Sequence, residues 1–319
     1  MSRILAALAA FILALPLSVQ AQSFPARPIR LVAMLPPGSG IDIAVRLFTP
    51  HMSERFRQPI LVENRPGAGG IIATELVKNT RPDGYTLLAT SSAFAINASL
   101  YARLPFDPLK DFSFIGMSGA TATLLLVNPA LPVGSVQELI SLAKTQPGRL
   151  NYGSSGTGTT VHLSAELFNM MAGIKAIHVP YKGVAQTLTD LIAGQVQYTF
   201  GGIASTKALV AAGKLRPLGV SSARRQADLP AIPAIAESLP GYEAIVWFGI
   251  IGPAGLPQAA VSAFNAAMNE AILAPEIKAR LVRDGVDPVT STPEQFDAYV
   301  REEIHKWAQV VKLSGARAE

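Results

Sequence analysis

The chain has 319 residues and a formal net charge of +5, and 49% of its residues are hydrophobic against 15% charged, as in a well-buried globular protein. It has no cysteine, which excludes disulfides, thiol catalysis, thiolate metal sites and a lipid-modified cysteine. Its positive field can steer a small anion toward a cleft. Nucleic acid is disfavoured as a partner because the basic residues are scattered, with Arg224-Arg225 the only adjacent pair.

The N-terminus predicts an export signal. Arg3 precedes an almost unbroken apolar run from Ile4 to Val19. Small side chains at Val19 and Ala21 suit signal peptidase, so residues 1–21 are predicted to be removed by cleavage after Ala21. A run of about 16 residues is shorter than the roughly 20 that span a bilayer. We therefore expect a mature chain that diffuses freely in the periplasm and is not embedded in the membrane.

Strands and helices alternate in the first part of the chain. A strand at 29–34 leads through the loop 35–40 into a helix from Ile41, where apolar residues recur at helical spacing. The following strand, helix and strand are predicted at 59–63, 70–79 and 85–90. This alternation predicts α/β layers built on parallel sheets.

The same pattern resumes with a strand at 124–127. The capping box Ser135-Val136-Gln137-Glu138 then opens a helix that runs to about Lys144. Further strands are predicted at 150–153, 176–179, 196–200 and 218–220. Further helices are predicted from Val161 and at 188–193 and 206–212. The proline-rich stretch 229–242 is interpreted as a segment that crosses between two lobes.

The end of the chain predicts a return to the first lobe. A strand at 247–251 precedes two helices, the second of which begins at the capping box Thr292-Pro293-Glu294-Gln295. About 298 mature residues exceed what one core comfortably holds. We predict one lobe from 22–125 plus 246–319, with the second lobe, 126–245, inserted. Two crossings would form a hinge that closes on a ligand.

Two glycine-rich loops, Pro36–Gly40 and Gly153–Thr160, each join a strand to a helix. Such a loop exposes backbone N–H groups at the positive end of the helix dipole and can bind an anion without a charged side chain. In open α/β sheets ligands bind beyond the carboxyl ends of strands, where both loops lie. One loop in each lobe predicts that a carboxylate is gripped from two sides. Two alternatives stay open: the glycines serve only tight turns, or Asp42 only caps its own helix.

Catalytic patterns are weak. The sequence has no G-x-S-x-G motif and no metal-binding spacing among its four histidines, His51, His162, His178 and His305. We interpret His162, near a helix start, as a packing or hydrogen-bonding residue. The sequence thus predicts a protein that is not an enzyme and uses no cofactor or metal, with a secreted hydrolase acting through Ser155 and His162 as an alternative.

Many segments, in order, resemble one family of extracytoplasmic receptors. They are Phe24–Arg30, Pro36–Gly38 with Asp42, Val62–Gly70, Pro82–Leu88, Asn151–Gly156, Gly158-Thr159, His162-Leu163, His178–Gly183, Gly213–Arg216 and Gly252–Gly255. From about Phe24 to the C-terminal helices the chain resembles the Bug-type solute receptors of tripartite tricarboxylate transporters. The resemblance implies the α/β fold of a type II periplasmic binding protein, with two lobes, a hinge and a ligand cleft between them.

The resemblance also implies a function. Family members bind small carboxylates and deliver them to a permease of one large and one small subunit, so we expect a monomer that meets this permease transiently. A ligand sensor for a membrane histidine kinase is the alternative. The implied ligand contacts are Gly38, Ser39 and Asp42 in the first lobe and Ser155, Gly156, Gly158 and Thr159 in the second. The residues implied to line the cleft are Ser91, Ser92, Ala93, Lys182, Gly183, Gly201 and Gly202.

The chain departs from the family pattern at this cleft. Ala93 and Phe94 stand where a threonine and a histidine are usual, and Gly201 stands where an aspartate is frequent. The loss of a hydroxyl and an acid predicts a more apolar cleft that is less able to hold an ammonium group. We therefore expect a monocarboxylate or dicarboxylate with an apolar or aromatic body, and not an amino acid.

Overall fold

The computed structural model describes residues 24–317, so the predicted signal peptide and its cleavage site after Ala21 lie outside the described residues. Strands and helices alternate as predicted. They are β1 (Ile29–Ala33), α1 (Gly40–Phe56), β2 (Ile60–Asn64), α2 (Ile71–Lys78), β3 (Thr86–Ser91), α3 (Ala93–Leu100), β4 (Phe112–Thr121), β5 (Thr123–Val127), α4 (Val136–Thr145), β6 (Asn151–Ser154), α5 (Thr160–Ala172), β7 (Ile177–Pro180), α6 (Val184–Ile192), β8 (Tyr198–Gly202), α7 (Ile203–Ala211), β9 (Arg216–Val220), β10 (Val246–Pro253), α8 (Gln258–Leu273), α9 (Pro275–Arg283) and α10 (Pro293–Ser314). Within this range, none of the helices has both the length and the apolar character needed to span a membrane.

The strands form two five-stranded sheets, one in each lobe. The first sheet has the order β2-β1-β3-β10-β4 and the second the order β7-β6-β8-β5-β9. Strands β1, β2 and β3 run parallel, as do β6, β7 and β8. The carboxyl ends of these strands bring the loops that follow them, including both glycine-rich loops, to one edge of each sheet.

Each sheet also holds one antiparallel strand, which corrects the prediction of purely parallel sheets. Strand β10 is antiparallel to β3 and β4, and β5 is antiparallel to β8 and β9. These are the two strands that the chain enters directly after crossing from the other lobe. Because they start at the edge that faces the other lobe, they must run opposite to the strands that end there.

Three elements were not predicted. The prediction placed no element at α3 or β4, and two helices after β10 where the structure has three. Helix α9 is separate because Ala274 takes an extended conformation and Pro275 starts a new helix at its first position. The capping box at Thr292 is confirmed, since Thr292 and Gln295 exchange side-chain to backbone hydrogen bonds of 3.2 and 2.9 Å.

The largest apolar core passes through both lobes. One cluster of buried side chains includes Leu88 of β3, Tyr198 of β8 and Trp307 of α10. Helix α10 packs against α3 of the first lobe and α5 of the second. The C-terminal helix therefore joins the two lobes through their shared core, in addition to the two chain crossings.

A buried carboxylate lies inside this core. Glu303 of α10 is 3% exposed, and its Oε2 accepts hydrogen bonds from Trp247 Nε1 at 3.0 Å and Trp307 Nε1 at 2.9 Å. Lys306 contacts the other carboxylate oxygen. Because both indoles are fully buried, each N–H needs a partner inside the protein, and one carboxylate provides both.

Candidate functional site

The candidate site is a cavity of about 400 Å³ between the two sheets, here called the interlobe cleft. It is lined by Leu35, Gly69, Ser91, Ala93, Ile96, Asn97, Leu100, Tyr101, Thr157, Gly158, Thr159, Thr160 and Val246. A larger cavity of about 550 Å³ lies between α1 and α9, and half of its lining residues are charged. We place the site in the smaller cavity because the loops at the carboxyl ends of strands from both sheets meet there.

Four of the predicted site residues line this cleft: Ser91, Ala93, Gly158 and Thr159. The other ten lie outside its lining, in loops, at strand ends or, for Asp42, in the first turn of α1. They are Gly38, Ser39, Asp42, Ser92, Ser155, Gly156, Lys182, Gly183, Gly201 and Gly202. The structure thus brings the loops after β3 and β6 to the cleft, whereas no residue of Pro36–Gly40 lines it, and ligand contact by the predicted residues stays a prediction.

The wall of the cleft in the first lobe is mostly apolar. Helix α3 contributes Ala93, Ile96 and Leu100, and the strand start at Val246 completes the surface. Leu100 also meets the loop of the second lobe, because a Cβ on Gly158 would lie 2.5 Å from Leu100 Cδ2. Glycine is needed at 158 for this close approach and for its φ of +76°.

Two polar wall residues were missed by the sequence analysis, Asn97 and Tyr101. The Asn97 side chain is buried and donates a 3.0 Å hydrogen bond to the carbonyl of Gly69, which ties α3 to the loop after β2. Helix α3 gave little signal because it is apolar on almost every side, so its sequence lacks the alternation of an amphipathic helix.

Three serine hydroxyls in the described part of the first lobe lack a protein partner; that of Ser118 lies in β4, and those of Ser39 and Ser92 lie in the loops after β1 and β3. The Oγ atoms of Ser39 and Ser92 are buried and have no hydrogen-bond partner among the described residues. Ser92 lies between Ser91 and Ala93, which both line the cleft. A buried hydroxyl without a partner costs about 1–3 kcal/mol, so these two groups are available to a bound molecule or to water.

Asp42 shapes the loop of the first lobe. Its carboxylate is buried and accepts hydrogen bonds from the backbone N–H of Gly38 at 2.9 Å, from Asn64 Nδ2 at 2.8 Å and from Arg46 Nε at 2.9 Å. Burial by itself would raise the pKa of Asp42, but these three hydrogen bonds and the Arg46 charge hold it below its ordinary value. The structure therefore shows the Asp42 carboxylate bound to the loop before α1 and to two neighbouring side chains.

Replacing Asp42 by alanine is expected to destabilise the protein by about 1–3 kcal/mol, because a buried carboxylate that accepts three hydrogen bonds is lost. Since the folded-state pKa lies below the unfolded value, this stabilisation is present above the unfolded pKa and is lost as the pH falls through the folded one. Urea unfolding at neutral and acidic pH measures both effects. If the wild type and Asp42→Ala differ equally at all pH values, the assigned role of the carboxylate is wrong.

The loop of the second lobe repeats this arrangement with another side chain. Gly158 donates its backbone N–H to Nδ1 of His162 at 3.0 Å, four residues along, as Gly38 does to Asp42. Thr159 caps α5 and accepts from the N–H of His162 at 3.3 Å. His162 is therefore a buried hydrogen-bonding residue, as interpreted from the sequence.

The serine–histidine pair of the hydrolase alternative is not formed. His162 Nδ1 is occupied by the N–H of Gly158, and Ser155 Oγ lies 3.5 Å from Thr159 Oγ1. The serine in contact with a histidine is Ser154, whose Oγ lies 2.7 Å from His178 Nε2, but Ser154 is fully buried and also bonds Gly156. A nucleophile must reach its substrate, so this geometry does not support hydrolysis.

The chain matches the family model of the tripartite tricarboxylate transporter family receptors over residues 44–316. It is 33% identical to the protein BugT of Bordetella pertussis over 322 residues, which cover 99% of each chain. It is similar to the solved structure of Rpa4515 from R. palustris with adipate, at 35% identity and a TM-score of 0.75, covering 92% of this chain and 99% of that one.

The chain is also similar to the structure of MatC from Rhodopseudomonas palustris with bound malate, at 29% identity and a TM-score of 0.72. This match covers 90% of this chain and 100% of that one. These likenesses confirm the predicted fold of a periplasmic binding protein with two α/β lobes. The family and the fold are those of solute-binding receptors. The chain therefore belongs to the TctC family, the receptors of tripartite tricarboxylate transporters.

Proposed function

We propose that this chain is an exported, monomeric receptor that binds a small carboxylate in the interlobe cleft and delivers it to a two-subunit permease. The observation that carries the proposal is the makeup of the cleft. The described residues that line it include the N-terminus of α5 and several hydroxyl groups, but no lysine or arginine. An anion in such a place is held by backbone N–H groups, the helix dipole and hydroxyls.

The apolar wall supports a ligand with an apolar body. Leu35, Ile96, Leu100 and Val246 all face the cleft. Of the ligands in the two related structures, adipate joins its carboxylates by a methylene chain, whereas malate carries a hydroxyl group. We therefore propose a monocarboxylate or dicarboxylate with an aliphatic or aromatic body, and adipate is the first compound to test.

In this proposal the predicted site residues have two kinds of role. Thr157, Gly158 and Thr159 meet the carboxylate from the second lobe, and Ser91 and Ala93 meet the ligand from the first. The remaining predicted residues hold the loops in shape or form the rim of the cleft.

We further propose that the lobes are divided at about residue 122, a few residues before the predicted boundary at 125/126, and at 245/246. The chain passes from the first sheet to the second between Thr121 and Thr123, and returns where β10 begins at Val246. Export, with cleavage after Ala21, would place the receptor in the periplasm, where it can reach a membrane permease.

A thermal-shift screen of small carboxylates tests the proposed function. A ligand at about 100 times its Kd stabilises the folded protein by roughly 2.7 kcal/mol, which raises the Tm by several degrees. We expect adipate or a carboxylate of similar size to do this, and 1,6-hexanediol, which has the same chain without the charges, to leave the Tm unchanged. A broad panel of carboxylates that never raises the Tm would contradict the proposal.

A further inference from the structure

The two glycine-rich loops are held by the same backbone arrangement. The glycine before each helix cap has φ near +78°, at +79° for Gly38 and +76° for Gly158. The caps themselves, Ser39 and Thr159, have φ/ψ of −69°/158° and −68°/157°. In both loops a side chain three residues after the cap accepts the N–H of the glycine. The two loops differ in that acceptor, which is a carboxylate in the first lobe and an imidazole in the second.

A second imidazole supports the loop of the second lobe. His178 of β7 stacks on His162, with ring centroids 3.9 Å apart and 13° between the planes. Its Nε2 lies 2.7 Å from Ser154 Oγ, and that hydroxyl contacts both the N–H and the carbonyl of Gly156 at 3.2 and 3.1 Å. Gly156 and Gly158 of this loop are therefore connected to one pair of stacked imidazoles.

Titratable groups from the surrounding elements face this pair. From α5, Glu166 Oε1 lies 3.7 Å from Nε2 of His162. From β6, Tyr152 stacks on both imidazoles and donates its hydroxyl to Glu166. From β8, Tyr198 stacks on Tyr152 and bonds Asn169 with its hydroxyl.

The charges of these groups are set by burial and by each other. Burial lowers the pKa of His178 to about 4, with the adjacent His162 as a second cause. Burial by itself would raise the pKa of Glu166, but His162 and Tyr152 hold it below its ordinary value. Burial and Glu166 raise the pKa of Tyr152 well above its ordinary value. A carboxylate is thus present next to His162 while His178 stays neutral.

We propose that His162 positions the solute-binding loop of the second lobe and makes solute binding depend on its own protonation. The bond from Gly158 requires that Nδ1 of His162 carries no proton. Protonation turns this acceptor into a donor that faces another N–H, so the loop loses the shape that holds a carboxylate. Histidine is the side chain that ordinarily changes charge between about pH 5 and pH 8.

Protonation of His162 would both attract an anionic solute and break the hydrogen bond from Gly158, and Glu166 determines which of these two effects is larger. A protonated imidazole would attract an anionic solute, but Glu166 at 3.7 Å forms a pair with it that has no net charge. The attraction is therefore small, and the lost hydrogen bond dominates. Acid weakens solute binding, and the first lobe, with Asp42 in the same place, has no such response near neutral pH. This inference rests on the proposed function, because it concerns the same site.

The test measures adipate binding by calorimetry from about pH 8 to pH 5.5, across the range in which histidines titrate. Wild type is expected to bind about tenfold more weakly at the acidic end. His162→Asn supplies an amide oxygen where Asp42 supplies a carboxylate oxygen, so the affinity that this variant shows should no longer change with pH. His305→Asn, on the exposed side of α10, should behave as wild type. Affinity that is constant or rises in acid, or a pH dependence that persists in His162→Asn, overturns the inference.

A measurement without ligand separates this inference from the proposed function. In protein labelled with ¹⁵N-glycine, the amide signal of Gly158 should move over the same pH range in wild type, and the signal of Gly38 should not. If adipate fails to bind at every pH, the adipate assignment is wrong while the Gly158 signal still decides whether His162 controls the loop. If adipate binds and the Gly158 amide does not respond to pH, the receptor stands and this inference is wrong. Neither amide measurement requires the variant to fold.

Discussion

Gly158→Ala is expected to weaken solute binding at least about 100-fold, which corresponds to about 2.7 kcal/mol. The new methyl group would lie 2.5 Å from Leu100 Cδ2, so the Leu100 side chain must shift, which changes the wall at the centre of the cleft. The φ of +76° adds a backbone cost of about 1–2 kcal/mol, which lowers the free energy of unfolding. Calorimetry with the solute and urea unfolding measure the two effects separately.

Gly148→Ala is the matched control for this substitution. Gly148 has φ +73°, and no described atom lies within 4 Å of the place its Cβ would take, so it reproduces the backbone cost without the contact. It should lose stability and keep the affinity. In the double variant Gly158→Ala/Leu100→Ala, part of the affinity should return, since the two residues touch. Binding by Gly158→Ala within about threefold of wild type would contradict the role of the contact.

The second large effect is expected on stability. Glu303→Leu removes the acceptor of both Trp247 and Trp307, and each buried indole N–H left without a partner costs about 1–3 kcal/mol. We therefore expect the free energy of unfolding in urea to fall by roughly 2–5 kcal/mol. The leucine fills most of the space, so the loss comes from the unpaired polar groups and not from a cavity.

Two other variants of α10 serve as comparisons for Glu303→Leu. Glu302 is exposed, so Glu302→Leu should change the free energy of unfolding by no more than about 0.5 kcal/mol. Glu303→Gln keeps a carbonyl oxygen for the indoles and should cost less than Glu303→Leu. If Glu303→Leu proves as stable as Glu302→Leu, the carboxylate is not the partner that keeps the two indoles buried.

The parts of the fold that local signals determine were predictable. The strand at 29–34, the glycine loops and the helix that begins after Thr292 each have their cause within a few residues of sequence. The direction of β5 and β10 was not predictable, because it depends on where the chain re-enters each sheet after a crossing. Helix α3 was missed because burial on most sides removes the periodic pattern that identifies a helix.

The candidate site could be predicted to about the same extent as the fold. Gly158 and Thr159 follow from the glycine loop, whereas Leu100 and Val246 reach the cleft only because two distant segments meet in space. One signal in the sequence was overlooked. Gly38 and Asp42 are four residues apart, as are Gly158 and His162, and this shared spacing marks the matching hydrogen bonds of the two loops.

The buried carboxylate of α10 gives the molecule a built-in optical reporter. Trp247 and Trp307 are the only tryptophans in the chain, and both bond Glu303. Trp247 follows Val246 of the cleft wall, and its carbonyl accepts a 3.0 Å hydrogen bond from the N–H of Ser92. All tryptophan emission of the folded protein therefore originates at one spot beside the second crossing. We expect its intensity to report on changes beside this crossing without any attached dye.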